Sequence, residues 1–251
     1  MVRRHRQCAE QVVPVTLRDD NGPPASVVQT PAGGPCWMRG GTRVVTVEAD
    51  PVLVESRLVG GKVECPGCAA VLRPWGWARP RTIFGLVGVL VPRRARCMGC
   101  LSTHVLLPVT VLLRRGYAVE WIGAVFVARA AGLGHRRIGS RLEVPAATVR
   151  GWLRVMADRL ERVRTSLLVL ARLAGVDQPI PKAQGCPWLD LLAALEAARM
   201  AVTGRFGPVG VLGPVTMWQL ACACSAGRLL APRWPPTRPS RRPTPVASDA
   251  G

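Results

Sequence analysis

Four of the nine cysteines stand in two Cys-x-x-Cys pairs, Cys65–Cys68 and Cys97–Cys100, with 28 residues between the pairs. Each pair can present two sulfur atoms on one side of a tight turn, and a β-hairpin between the pairs would bring the turns together. The third residue of each Cys-x-x-Cys motif is a glycine, Gly67 or Gly99, which suits a turn with unusual backbone angles. The spacing therefore predicts a structural, tetrahedral Zn²⁺ site formed by Cys65, Cys68, Cys97 and Cys100.

Other interpretations of these cysteines remain open. They could be buried or redox-active thiols, although a thioredoxin-like site would use one pair in a βαβ setting, which this sequence lacks. His104 follows Cys100 by four residues and could replace one sulfur, but a histidine outside the ligand set is the more common case. The odd number of cysteines and the lack of a signal peptide favour a reducing cytoplasm over a disulfide framework.

A second stretch with a chemical pattern is His135–Arg154, which we interpret as a helix-turn-helix. Its apolar residues fall where two short helices packed at a steep angle need them, at Ile138, Leu142, Val149, Trp152 and Leu153, and Val144 is the apolar residue of the turn. Gly139 stands at the expected point of closest approach, where only a small residue fits. Glu143 occupies a turn position where glycine is usual, because the backbone there often takes a positive φ. The alternative is a helical hairpin within another type of α-domain.

Arginines line the outer face of the second of these helices. Pro145 suits the first helical position, and Arg150 and Arg154 lie about one turn apart on the side away from the apolar residues. In the major groove of double-stranded DNA this face would bring five residues nearest to the bases: Ala146, Ala147, Arg150, Gly151 and Arg154. We expect further DNA contacts, mainly to phosphates, from arginines outside this helix: Arg93, Arg94, Arg96, Arg136 and Arg137.

The charge distribution favours a polyanionic partner. The 251-residue chain has a formal net charge of +19, and 32 of its 34 basic residues are arginine. No acidic residue occurs between Glu64 and Glu120, a stretch that contains eight arginines. From Arg93 to Arg164, 14 arginines stand against four acids. An ordinary solvated face mixes both signs of charge, so these stretches indicate a surface that binds nucleic acid.

Helical periodicity extends to both sides of the predicted helix-turn-helix. Residues Tyr117–Ala131 form the expected preceding helix, and the second helix is predicted to run on to about Ala174. Its apolar residues form a heptad stripe of Val149, Leu153, Met156, Leu160, Val163, Leu167, Leu170 and Ala174. The part 156–174 could form a homodimer with a second copy of the chain. The shortness of the stripe favours packing within the chain, against Trp188–Ala201.

Short β-prone segments are predicted as strands at Val44–Val47, Leu72–Trp77, Arg93–Cys97 and Thr103–Leu107. Trp75 and Trp77 stand two residues apart, so we expect them on one face of the sheet. They could stack on unpaired bases. More often, such aromatic residues cover a ribbon that has little core of its own.

The fold class predicted from these patterns is mainly α with a small β zinc ribbon. We expect five parts: a disordered leader at 1–41, a strand, a helix and the four-cysteine zinc ribbon at 42–110, the helix-turn-helix domain with its extended helix at 116–174, a C-terminal helical segment at 186–231, and a disordered basic tail at 232–251. The uncharged segment Phe206–Gly227 is long enough to span a bilayer, but its prolines and glycines favour a buried loop and helix, so no membrane association is expected.

The chain resembles zinc-ribbon plus helix-turn-helix proteins of bacterial insertion sequences, the DNA-binding front ends of some transposases, and an uncharacterised actinobacterial family of transposase-like proteins. The motifs that carry the resemblance are CPGC, LRPWGWARPR, RRARCMGC, THVLLP and GHRRIGSRLEVPAATVRGWL, and it covers residues 43 to about 234. It implies metal-ligand roles for the four cysteines and base-reading roles for the helix Pro145–Arg154, Thr148 included. For an accessory factor of a mobile element, it also implies a transposase partner.

The leading functional hypothesis is a sequence-specific DNA-binding protein of a mobile element, located in the cytoplasm at the nucleoid and acting as accessory factor or repressor. Transposases that cut DNA need three carboxylates around Mg²⁺, usually on or beside strands. The acids after the helix-turn-helix fall on predicted helices, in a loop or in the tail, so we predict no catalytic residues. The alternatives are a catalytic transposase or nuclease remnant, and an RNA-binding zinc-ribbon protein, to which Trp75 and Trp77 point.

Overall fold

A four-stranded sheet and a group of helices make up the part of the chain that the structure describes, residues 43–175, 179–207, 215–232 and 234 of a computed structural model. The predicted leader at 1–41 and almost all of the predicted tail at 232–251 lie outside these residues. The described helices are α1 (Pro51–Val59), α2 (Val119–Ala130), α3 (His135–Leu142), α4 (Ala146–Ala157), α5 (Leu160–Ala174), α6 (Pro187–Phe206) and α7 (Met217–Cys224). The described strands are β1 (Arg43–Val47), β2 (Leu72–Trp77), β3 (Arg81–Thr82), β4 (Val89–Leu90), β5 (Arg93–Cys97) and β6 (Thr103–Pro108). The expected combination of helices with a small β element is confirmed.

The larger sheet has the strand order β1-β6-β5-β2. β1 pairs parallel to β6, whereas β5 pairs antiparallel to both β6 and β2. The remaining two strands, β3 and β4, form a separate hairpin within the connection from β2 to β5. The four predicted strands therefore all form, and β2 and β5 bring the two cysteine pairs to one end of the sheet.

Helix α1 covers one face of the sheet. Asp50 caps the start of this helix, because its carboxylate accepts a hydrogen bond of 2.8 Å from the backbone N–H of Val52. Val54 and Leu58 point from α1 into a buried cluster with residues of all four strands, and Leu58 is fully buried. We call the α1 side of the sheet its inner face and the other side its outer face.

A β-bulge in β2 overturns the expectation that Trp75 and Trp77 share a face. The register shifts between Pro74 and Gly76, so that Pro74 lies opposite Ala95 and Gly76 lies opposite Arg94. The guanidinium of Arg96 stacks over Trp75 and that of Arg93 over Trp77. Positions 93 and 96 of a regular strand face opposite sides, so Trp75 lies on the outer face and Trp77 on the inner face. The sequence-based prediction assumed that side chains alternate strictly between the two faces, and this alternation does not include the extra residue of a bulge.

Helices α2, α3 and α4 share one hydrophobic core. Ile138 of α3 and Val149, Trp152 and Met156 of α4 are buried there with the apolar face of α2. The indole N–H of Trp121 in α2 donates to the carbonyl of Leu142 at 2.9 Å, which ties α2 to the end of α3. A Cβ on Gly139 would lie 2.7 Å from the carbonyl oxygen of Val144, so the predicted close approach at this glycine is confirmed.

Three residues connect α3 to α4, and the first of them, Glu143, takes the left-handed conformation with φ 53° and ψ 36°. This backbone is unfavourable for a residue with a Cβ, and glycine adopts it freely. We therefore expect Glu143→Gly to raise the free energy of unfolding by about 1 kcal/mol. Chemical denaturation would measure the change, with Glu161→Gly in the exposed first turn of α5 as a control that should lose stability. A loss of stability in Glu143→Gly would contradict the expectation.

The predicted extended helix is wrong, because the chain turns between α4 and α5. α4 ends at Ala157, and Arg159 has φ −138° and ψ 6°, outside helical geometry. The guanidinium of Arg159 donates to the backbone carbonyls of Ala231 and Trp234, both at 2.7 Å. The turn redirects α5 so that its apolar stripe packs along α6. The apolar residues keep their helical spacing across this turn, so their periodicity in the sequence does not show where α4 ends.

The stripe of α5 is covered within the chain, as the intramolecular alternative proposed. Val163, Leu167, Ala171 and Ala174 are buried in the same core as the apolar face of α6. The partners on α6 include Leu191, Ala194, Leu195, Ala198 and Ala201. A homodimer through 156–174 would have to use other side chains of α5, and it stays an untested prediction.

Helix α7 joins the helices to the sheet. A capping box begins α7, with the Thr216 hydroxyl accepting from the N–H of Gln219 and the Gln219 side chain accepting from the N–H of Thr216. Trp218 packs directly on Gly123 of α2. The carbonyl of Gly227 accepts a 2.8 Å hydrogen bond from the N–H of Leu113, just after the sheet. Among the described helices, none combines the length and apolar character that crossing a bilayer requires.

Candidate metal centre and basic surfaces

The four predicted cysteine ligands meet at one end of the sheet. Their sulfur atoms all lie within 4.8 Å of one another, and two Sγ–Sγ distances are 3.7 Å for Cys65–Cys100 and 3.3 Å for Cys68–Cys97. A tetrahedral metal with metal–sulfur bonds of about 2.3 Å places its sulfurs about 3.8 Å apart. The cluster therefore has the size of a four-thiolate metal site.

Two similar turns present the sulfurs. The residue after each Cys-x-x-Cys pair, Ala69 or Leu101, takes a φ of 58°, whereas Gly67 and Gly99 are not among the positive-φ residues. The expectation that these glycines supply an unusual backbone angle is therefore wrong. Gly99 is needed for space, since a Cβ there would lie 2.8 Å from the Cβ of Ala70. Gly67 brings its backbone N–H to 3.4 Å from the sulfur of Cys65.

The surroundings of the four thiols differ in polarity. Burial raises the pKa of Cys65 to about 12 and also raises the pKa of Cys97, which is fully buried. Hydrogen bonds from Ser102 lower the pKa of Cys100 to about 6. A cation that binds all four sulfurs must displace protons from the buried thiols, and its charge then stabilises the thiolates.

His104 lies next to this cluster. Its ring is fully buried in β6, with Nε2 at 3.4 Å from the sulfur of Cys65. The four sulfurs form the candidate ligand group and His104 adjoins it, as expected for a histidine outside the ligand set. The role of Ser102 was not predicted from the sequence, whereas His104 was considered as an alternative ligand because of its spacing from Cys100. The only signal for Ser102 in the sequence is its position between Cys100 and the predicted strand Thr103–Leu107.

The predicted DNA-contact residues of α3 and α4 lie on the surface. Arg150 and Arg154 are exposed on α4, opposite the buried Val149, Trp152 and Met156. Of the others, Pro145 and Ala147 are exposed, and Ala146, Thr148 and Gly151 are half-buried. Pro145 itself precedes the first residue of α4 instead of forming its first turn.

A shallow basic concavity lies at the start of α3. It is lined by Gly134, His135, Arg136 and Arg137, and both arginines are exposed. No side chain caps the first turn of this helix. Positive side chains at a helix N-terminus oppose the positive end of the helix dipole, so this arrangement does not stabilise the helix.

The three predicted contact arginines of β5 have different surroundings. Arg93 is held internally, with Nε and Nη2 donating to the carboxylate of Glu55 at 2.7 and 3.0 Å and Nη1 donating to the carbonyl of Gly76. These hydrogen bonds lower the pKa of Glu55 below its usual value. Arg94 and Arg96 lie on the outer face and are half-buried. Arg93 is therefore a structural residue, and only Arg94 and Arg96 remain candidates for contacts.

Two other arginines of the basic stretch Arg93–Arg164 form hydrogen bonds within the fold. Arg115 donates to the carbonyl of Leu230 at 2.8 Å. Arg159 donates to the carbonyls of Ala231 and Trp234. Burial lowers the pKa of Arg159. These two arginines therefore hold the segment that follows α7 in place, and their charge is used within the fold.

Comparison with known proteins adds no relative to this picture. No family model, no curated protein and no solved structure matches the chain. The function of this chain must therefore be inferred from the geometry of its two basic surfaces and its cysteine cluster.

Proposed function

We propose that this chain is a zinc-stabilised, sequence-specific DNA-binding protein in which α3 and α4 act as a helix-turn-helix. The observation that carries the proposal is the division of α4 into two faces. One face is buried among α2 and α3, and the other exposes Arg150 and Arg154 beside the small residues Ala147 and Gly151. A helix with an arginine-bearing, otherwise small outer face can enter the major groove of DNA closely.

The connection between the two helices supports this assignment. A helix-turn-helix needs a short turn and a close approach of its helices. The three-residue connection with a left-handed Glu143 and the tight contact of Gly139 with the turn meet both requirements. The exposed Arg136 and Arg137 at the start of α3 would then bind phosphates, which would offset their unfavourable position on the helix dipole.

Zinc is the metal that the cysteine cluster suits best. Four thiolates without an oxygen ligand or an open position are typical of structural Zn²⁺ sites. The ion would hold β2, β5 and the two turns together, and its role would be structural. Because its motifs resemble those of insertion-sequence proteins, we propose that the protein acts for a mobile element, as a repressor or as an accessory factor with a transposase partner. This role requires no catalytic residues of its own.

Arg150→Ala tests the base-reading role of α4. We expect it to weaken binding to the specific site by about 1–3 kcal/mol and to relax the preference at one base pair, because arginine reads guanine with two hydrogen bonds. The specific site would first be found by footprinting on DNA that flanks the gene, and affinities for the site and its point variants would then be compared. Arg172→Ala, exposed on α5, is the matched control and should leave both quantities unchanged. Equal weakening on all sequences would reduce Arg150 to a phosphate contact.

A further inference from the structure

The outer face of the sheet carries an exposed basic and aromatic surface that the proposed helix-turn-helix does not use. We define the outer platform as Trp75 of β2 with Arg94 and Arg96 of β5, together with the adjoining groove. Trp75 is 55% exposed and belongs to none of the buried clusters of the described chain. Its indole is thus not used as a cover for a core.

The bulge in β2 gives Trp75 its position. As the extra residue between Pro74 and Gly76, it has no partner in β5, and a bulge of this kind re-aims a side chain away from the regular pleat. The guanidinium carbon of Arg96 lies 4.6 Å from the centre of a Trp75 ring. The arginine holds one side of the indole and leaves more than half of the side chain open to solvent.

A groove extends the outer platform towards the β3–β4 hairpin. Its wall on the sheet includes Val105, which lies opposite Arg94 in the β5–β6 pairing, and its opposite wall includes Arg79 and Arg81. The Nε atoms of Arg81 and Arg94 are buried without a hydrogen-bond partner. The guanidinium groups of Arg79 and Arg81, which line the groove, can supply charge-assisted hydrogen bonds to the anionic oxygens of a ligand such as a phosphodiester.

The charge of this region narrows the choice of ligand. Residues 65–119 contain no carboxylate, so no acid of this segment neutralises the arginines of the outer platform. The inner face shows the contrast, because Arg93 under Trp77 is paired with Glu55. An aromatic ring beside arginines, in a segment of the sequence without carboxylates, is suited to a strand whose bases are unpaired, since the bases can stack while the phosphates bind the cations.

We propose that the outer platform binds single-stranded nucleic acid, with an unpaired base stacked on Trp75 and the backbone following Arg94, Arg96 and the groove. This surface is separate from α4 and reads no duplex. It goes beyond the proposed function because it gives the protein a second nucleic-acid partner, one that arises wherever a duplex is opened.

The experiment compares three fluorescent probes by anisotropy with the full-length protein: oligo-dT and oligo-rU of about 15 nucleotides, and a duplex of the same length. Trp75→Leu should weaken binding of the single strands about tenfold or more and leave duplex binding unchanged. Trp77→Leu, equally exposed and arginine-stacked but on the neutralised inner face, is the matched control and should change neither. Trp75→Phe, which keeps a ring for stacking, should restore much of the loss. The ratio of the affinities for dT and rU tells whether DNA or RNA is the preferred source of the strand.

Several outcomes would overturn the proposal. Failure of both single strands to bind the unmodified protein would do so, as would equal losses in Trp75→Leu and Trp77→Leu. If Trp75→Leu lowers the thermal stability, Trp75→Thr, a residue type that suits an exposed strand position, replaces it as the test and must show the same selective loss. The test is independent of the helix-turn-helix, because Arg150→Ala should weaken duplex binding and spare the single strands.

Discussion

Replacement of a buried cysteine of the cluster is expected to unfold the sheet and α1 and to abolish metal binding. Cys97→Ser is the sharpest change, because Cys97 is fully buried within the cluster that joins α1 to the sheet. Structural zinc contributes apparent free energies of about 10–16 kcal/mol in small domains at neutral pH, more than a core of this size can replace. The purified protein should contain one Zn²⁺ per chain by elemental analysis, and the variant none.

The expected unfolding is local. α2 to α6 have their own core, so far-UV circular dichroism of Cys97→Ser should keep its helical signal while amide protons of residues 43–108 exchange rapidly. Cys186→Ser is the control, because Cys186 lies outside the cluster, just before α6, and this change should keep the metal. A chelator should reproduce the effect of Cys97→Ser on the unmodified protein. Metal-free protein with unchanged exchange and stability would contradict both the zinc assignment and the structural role.

Among the described glycines of the helices, Gly123 should be the one at which an added methyl group does the most damage. A Cβ at this position of α2 would lie 2.3 Å from three atoms of the Trp218 indole, far inside any contact distance. Trp218 is buried, and its ring centre lies 5.8 Å from that of Phe126, so the ring has little room to withdraw. We expect a loss of about 3 kcal/mol in the free energy of unfolding. This corresponds to a decrease of roughly 6–12 °C in the melting temperature.

A second glycine supplies the matched comparison. Gly204 lies in α6 with no atom within 4 Å of its Cβ position, so Gly204→Ala should be neutral or stabilise by about 0.5–1 kcal/mol through helix propensity alone. Trp218→Leu introduced together with Gly123→Ala should recover part of the loss, because the smaller side chain vacates the space. Equal melting temperatures for Gly123→Ala and Gly204→Ala would show that α7 does not pack on α2 as described.

The local elements were largely predictable, because each has its cause within a few residues. Asp50 and Pro51 predict where α1 begins, and Thr216 and Gln219 predict the cap of α7. The spacing of the two cysteine pairs predicts a joint cluster, because a hairpin is the shortest way to bring two turns together. In the same way, Gly139 could be identified as a contact point, since only an absent side chain allows the backbones to meet.

Other features depend on residues that are distant in the sequence. The turn at Arg159 exists because carbonyls near residue 231 accept its hydrogen bonds and because α6 covers the stripe of α5. The separation of Trp75 from Trp77 depends on the register of β5, which a single strand does not contain. Arg93 was counted as a contact for DNA, but its pairing with Glu55 across the inner face makes it structural.

The sequence alone determined the chemistry that is available: thiols in paired turns, a run of arginines without acids, and a short helix with a basic outer face. Tertiary structure decided which of these groups are free to act. Short-range spacing and backbone preference are properties of neighbouring residues, whereas burial, ion pairing and the face on which a side chain emerges arise only when distant segments pack together.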